Sequence, residues 1–232
     1  MLVSQWKNSL ADSSTVAIDI GHSKQNPGAI SARGKPEFEF NLDLGLALQD
    51  ALTDHQIHSF LIGDQGDIED VKQRSSIAET HDAKFFVSLH HDSAQPKYFK
   101  TWKWQETDRR YSDNFFGFSI FVSRKNPKIE KSLHCAQSIG QALKQKGFTK
   151  SSHHAEPLLG ENREWADEAN GIYFYDDLVV LKTANMPAVL VEAGVIVNRK
   201  EEEILEQAST KKVIAAAIAQ GIEDCKVLDL LL

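Results

Sequence analysis

Phe85-Phe86-Val87-Ser88-Leu89 is the stretch that decides the fold. It is apolar at odd and even positions alike, so a strand built from it is covered on both faces, as strands in the middle of a parallel sheet are. Toward the N-terminus, Val16-Ala17-Ile18-Asp19-Ile20 is a second short apolar run, stopped by Gly21, and Ser59-Phe60-Leu61-Ile62 a third, ending in Gly63-Asp64. Between them Leu44, Ala47, Leu48, Ala51 and Leu52 recur at helical spacing, with Asn41 placed to cap the helix. A polar helix is expected from about Glu69 to His81. The order is βαβαβ.

Toward the C-terminus, Phe118-Ser119-Ile120-Phe121-Val122 reads as another strand, and Ile129, Leu133, Ala136, Gly140 and Leu143 share one helix face. Ala188-Val189-Leu190-Val191-Glu192 is a further strand, and Val213, Ile214, Ala217, Ile218 and Ile222 mark a last helix near 210–223. The expectation is an α/β fold, a mostly parallel central sheet flanked by helices on both faces. A single domain, 1–232, accounts for the chain, with insertions at about 93–117 and 148–178 that are long and irregular for connections in a compact domain.

Lys and Arg number 26 against 33 Asp and Glu, a net charge of −7. That balance argues against tracking nucleic-acid phosphates, which needs a clustered basic face. No apolar run is long enough to span a bilayer. The first fifteen residues are polar with one Lys and lack the basic-then-apolar profile of a secretory signal. Cys135 and Cys225 fall in expected helices and read as buried free thiols. Any metal site must then be made of His and carboxylates.

Three such residues meet one edge of the expected sheet. His22 follows the first strand by one glycine, His90 directly follows the strand at Phe85, and Glu192 ends the strand at Ala188. Ligands gather outside the carboxyl ends of strands in open α/β sheets. A carboxylate closing an apolar strand needs a partner, because burying it alone costs several kcal/mol. Two His and one carboxylate hold zinc with a fourth position open to water, and a second carboxylate then moves the proton. For the ligand carboxylate, spacing alone leaves Glu37 and Glu39 both open.

Asp19-Ile-Gly-His22 followed by Asn26-Pro-Gly-Ala29, then Val87-Ser-Leu-His90, then Asn185-Met-Pro-Ala-Val-Leu-Val-Glu-Ala-Gly194 with Asn198 resemble, in order, the motifs of the N-acetylmuramoyl-L-alanine amidase family 3. The resemblance runs from about Val16 to the C-terminus. It implies Zn2+ held by His22, Glu39 and His90, with Glu192 as general acid/base. Glu39 is preferred to Glu37 because the family's ligand Glu is commonly followed two residues later by Asn or Asp, which Asn41 matches. The implied reaction is hydrolysis of the amide between N-acetylmuramic acid and L-alanine in peptidoglycan, in the periplasm or outside the cell, with an activator protein as a possible partner. Ser23-Lys24 for Gly-Gly, His91-Asp92-Ser93 for Ala-Asn-Ala and Val195 for Phe depart from the family's pattern and imply different loop contacts. Another zinc amide hydrolase, of exopeptidase or deformylase type, is the runner-up; a non-catalytic wall-binding domain would not need all four residues.

The first insertion interleaves aromatic and cationic side chains, and Trp102 and Trp104 are its candidate substrate-binding residues. The second carries His153, His154, Glu156, Glu161 and Glu164. In cell-division members of the resembled family an insertion here covers the site and one of its Glu side chains occupies the zinc, so these acids are candidates for that role. Arg74 is expected to make a structural ion pair.

Overall fold

Strands β1 (Thr15–Ile20), β2 (His58–Ile62) and β3 (Phe85–Asp92), with helices α1 (Glu37–Asp54) and α2 (Val71–Thr80) between them, form the βαβαβ unit in a computed structural model that describes residues 15–229. The reading of the N-terminal segment falls almost wholly outside those residues. The chain continues through β4 (Lys100–Trp104), β5 (Thr107–Tyr111), β6 (Ser119–Val122), α3 (Ile129–Gln145), β7 (Trp165–Asp167), β8 (Ile172–Phe174) and α4 (Val179–Lys182). It closes with β9 (Ala188–Val195), α5 (Arg199–Leu205) and α6 (Ala208–Asp224).

Seven strands make one sheet in the order β2-β1-β3-β9-β6-β8-β7. The pairs β1–β2, β1–β3, β3–β9 and β6–β8 are parallel, whereas β9–β6 and β8–β7 are antiparallel. The expected mostly parallel sheet is therefore present, and β3 lies inside it between β1 and β9. Its side chains show why both faces had to be apolar. Phe85, Val87 and Leu89 enter the core shared with α1, α3 and α6, while Phe86 enters the opposite core with Ala78 of α2 and Val180 and Leu181 of α4.

The structure departs from the sequence reading in three places. The two insertions are ordered: 93–117 folds as the β4–β5 hairpin, and 148–178 contributes β7 and β8 to the sheet edge. Helix α1 starts four residues before Asn41, with an extended Pro36 at its cap, and proline keeps Lys35 before it out of the helical region. Cys135 and Cys225 are joined in a disulfide between α3 and the end of α6, Cα atoms 4.9 Å apart. The free-thiol reading failed because sequence does not show that two cysteines 90 residues apart lie on helices that pack side by side. We expect Cys135→Ala/Cys225→Ala to lower unfolding free energy by about 2–4 kcal/mol, given the length of chain that the bridge closes. A denaturant titration of the oxidised protein and the double variant checks this.

Candidate active site

The cluster at the carboxyl edge is built by short-range sterics. Gly21 ends β1, and a Cβ there would lie 2.3 Å from Nε2 of His90, so only glycine admits that ring. His22 takes a left-handed backbone (φ 70°), uncommon for a residue with a side chain. Arg74 holds it there by donating from Nη2 to the His22 carbonyl, and from Nη1 to the Ile20 carbonyl and to Asp19 Oδ1 at 2.7 Å. Asp19 also accepts from Ser88 Oγ at 2.6 Å. Arg74 is thus the expected structural partner, clamping the turn that presents His22.

Glu37, not Glu39, lies between the histidines. Its Oε1 is 3.0 Å from Nε2 of His22 and 3.0 Å from Nδ1 of His90, and its Oε2 accepts from the Ala29 amide at 2.9 Å. Glu39 is exposed. The early start of α1 is the cause. Residues 37 and 41 are one helical turn apart and share the buried face, whereas residue 39 is rotated by about 200° from residue 37. Asn41 serves that face from inside the helix, donating from Nδ2 to the Gly21 carbonyl at 3.1 Å and to Glu37 Oε1 at 3.3 Å. Its Oδ1 lies 2.8 Å from Nδ1 of buried His91. Burial pushes the Glu37 carboxyl up, but hydrogen bonds and charge from His22 and His90 outweigh it and hold it far below the usual carboxylate range.

Glu192 is the register partner of His90 across β3–β9. Its Oε2 is shielded from water and has no hydrogen-bond partner among the described residues. Burial, then the charges of Asp92 and Glu37, push its carboxyl well above the usual range. The side chain opens on a cleft of ≈ 300 Å³ that His22 and His90 also line. Two imidazole nitrogens and one carboxylate oxygen within 4.8 Å of one another suit a divalent transition metal. The orphaned Oε2 beside them is the atom a proton-transfer group would present.

The far wall of the cleft is the second insertion: His154, Glu161, Arg163 and Tyr175 line it. Its acids are engaged away from the cluster. Glu156 accepts from Tyr98 at 2.9 Å, Glu164 pairs with Arg124 at 2.8 Å, and Glu161 accepts from Gln95 at 2.7 Å and bonds Nδ1 of His154 at 2.8 Å. Asp92, two residues past His90, bonds Nε2 of His154 at 2.8 Å and of His153 at 3.2 Å. This network was not read from the sequence; the only signal was His91-Asp92-Ser93 departing from the usual triplet next to a candidate ligand. Burial would lower the His154 pKa, but Asp92 and Glu161 raise it to about 9. Since the folded value lies above the unfolded one, near 6.5, the stabilisation is complete below about pH 6.5 and is lost as pH rises through about 9. We expect hydrogen exchange across 153–163 to speed up between pH 6.5 and 9.5, beyond the intrinsic pH effect, and His154→Gln to flatten that extra rise.

Trp102 and Trp104 stack on each other at 5.4 Å in the β4–β5 hairpin, and Trp102 Nε1 donates to the Ala32 carbonyl at 2.9 Å. Arg33 lies over both rings. Neither tryptophan lines the ≈ 300 Å³ cleft.

A family model described as N-acetylmuramoyl-L-alanine amidase matches residues 16–224. The probable N-acetylmuramoyl-L-alanine amidase AmiB of Haemophilus influenzae is 28% identical over 229 residues, covering 90% of this chain and 51% of AmiB. The N-acetylmuramoyl-L-alanine amidase AmiA of Escherichia coli is 26% identical over 221 residues, covering 89% of this chain and 74% of AmiA. The chain thus spans about half the length of AmiB. Among solved structures, the catalytic domain of CwlV, an N-acetylmuramoyl-L-alanine amidase from Bacillus (Paenibacillus) polymyxa var. colistinus, superposes with a TM-score of 0.68 at 26% identity, over 91% of this chain and 97% of that one.

Proposed function

The chain belongs to the N-acetylmuramoyl-L-alanine amidase family, and on that premise we propose that it hydrolyses the amide joining N-acetylmuramic acid to L-alanine in peptidoglycan, with zinc as cofactor. The observation that carries the reading is the meeting of Glu37 with His22 and His90 beside the orphaned carboxyl of Glu192. His22, Glu37 and His90 hold the metal. When bound, it supplies a Lewis acid for the scissile carbonyl and an acidified water.

Glu192 is the general acid/base. Its raised affinity for a proton suits it to take one from the attacking water and deliver it to the departing nitrogen, which leaves as the amine of L-alanine. The β3–β9 register sets this carboxyl opposite His90, so the proton-transfer group and a residue that would hold the metal are kept together without a mobile element. Asn41 and the Ala29 amide orient Glu37, the outer contacts that hold a ligating carboxylate in place. Trp102 and Trp104 foot the hairpin against the turn at Ala32.

The disulfide and a peptidoglycan substrate both fit an oxidising location outside the cytoplasm. No helix among the described residues is long and apolar enough to cross a membrane. An activator protein would act on segment 153–163, the wall facing the cluster.

Mass spectrometry of products released from purified peptidoglycan tests the reading. Stem peptides beginning at L-alanine, lost on chelation and restored by zinc, are the expected result. Fragments cut within the stem would replace it with a peptidase.

A further inference from the structure

A second cleft, of ≈ 410 Å³, lies on the hairpin side of the cluster, with Ala29, Ser93, Phe99, Asp108, Arg109 and Arg110 in its walls. It starts where the cluster's own backbone ends. Ala29 is the residue whose amide bonds Glu37, and Ser93 stands three positions past His90. Ala29 and Ser93 thus tie the wall of this trench to the segments that carry Glu37 and His90.

The charges in its walls are unevenly matched. Asp108 pairs with Lys103 at 3.1 Å, and Arg110 stacks over Phe99 at 4.2 Å. The Arg109 side chain has no hydrogen bond, ion pair or ring partner among the described residues, and its Nε is shielded from water with no acceptor. A buried donor left unsatisfied is costly, more so on a charged group. Gly34, with φ of 100°, leaves the space the Arg109 guanidinium fills, since a Cβ there would lie 2.4 Å from its Cζ. Across the hairpin its register partner is Trp102, the residue bonded to Ala32. A half-buried guanidinium without an anion offers a fork for a carboxylate.

Resting on the amidase reading, the chemistry of the substrate says which carboxylate. The glycan carries N-acetyl and hydroxyl groups, and the lactyl carboxyl of its muramic acid is consumed in the amide being cut. Free carboxylates therefore belong to the stem peptide. We propose that this trench is a stem-peptide subsite and that Arg109 determines specificity by pairing with a peptide carboxylate on the leaving-amine side.

Calorimetry on the intact chain without added metal tests it, using a synthetic stem tripeptide beginning at L-alanine with its carboxyls free or all converted to primary amides. The free acid should bind about 10- to 100-fold more tightly. Arg109→Gln should bring that ratio within about threefold, and Arg109→Lys should recover part of it. Equal binding of the two peptides by the unsubstituted protein, or an unchanged ratio in Arg109→Gln, overturns the proposal. Peptidoglycan digestion by the same preparations separates the two readings. A kept ratio without release of L-alanine ends sinks the amidase assignment alone, and release without a ratio sinks this subsite alone.

Discussion

Glu37→Gln will remove most of the bound metal and reduce amide hydrolysis by about a thousandfold or more, whereas Glu39→Gln will change neither beyond about twofold. The two residues are neighbours in sequence and opposites in space. Glu37 Oε1 stands 3.0 Å from a nitrogen of each histidine, while Glu39 faces solvent. Metal content after gel filtration, read by elemental mass spectrometry, separates them directly. Metal lost from the Glu39 variant and kept by the Glu37 variant would return the ligand to the position favoured by the Asn41 spacing. Glu37→Ala should in addition cost about 1–3 kcal/mol of stability in the metal-free protein, because the Ala29 and His91 amides and Asn41 Nδ2 all lose an acceptor.

Glu192→Gln should lower kcat by about 10²- to 10⁴-fold with metal content unchanged. The separation between chemistry and metal is what marks a proton-transfer group. The same substitution should raise the stability of the metal-free protein at neutral pH by about 1–3 kcal/mol. The folded-state pKa of Glu192 is raised well above the usual range, so its protonated form is favoured by the fold. Ionising it therefore costs stability as pH climbs above the unfolded value of about 4.3, and glutamine avoids that cost. Melting curves of the metal-free proteins from pH 4 to 8 should diverge steadily. Parallel curves would mean that Glu192 ionises as freely in the fold as outside it.

The strands were legible because both covered faces of β1, β3 and β9 had to be apolar, which leaves short uninterrupted hydrophobic runs. His22, His90 and Glu192 were legible for a related reason: each stands where such a run stops. Glu37 was not, because choosing it over Glu39 depends on helix phase, and phase depends on a start set by Pro36 rather than by Asn41. The Asp92 network was hidden for a different cause. It joins β3 to a turn some sixty residues later, a proximity that no local pattern encodes. The disulfide likewise depends on α3 and α6 lying side by side.

Strand β9 sits mid-sheet, between β3 and β6, yet it is the last of the described strands. During synthesis, His22, Glu37 and His90 have all emerged by residue 92, well ahead of the slot-filling strand that brings Glu192. A nascent or truncated chain can thus bring His22, Glu37 and His90 together while the sheet stays split and Glu192 is missing. On the proposed amidase reading, competence for hydrolysis would come in one late step, when the segment from residue 188 onward inserts between edges already made. Such insertion pairs residues far apart in the chain and is intrinsically slow. On that reading, a chain ending before β9 should be inert by topology alone, its sheet split and Glu192 absent.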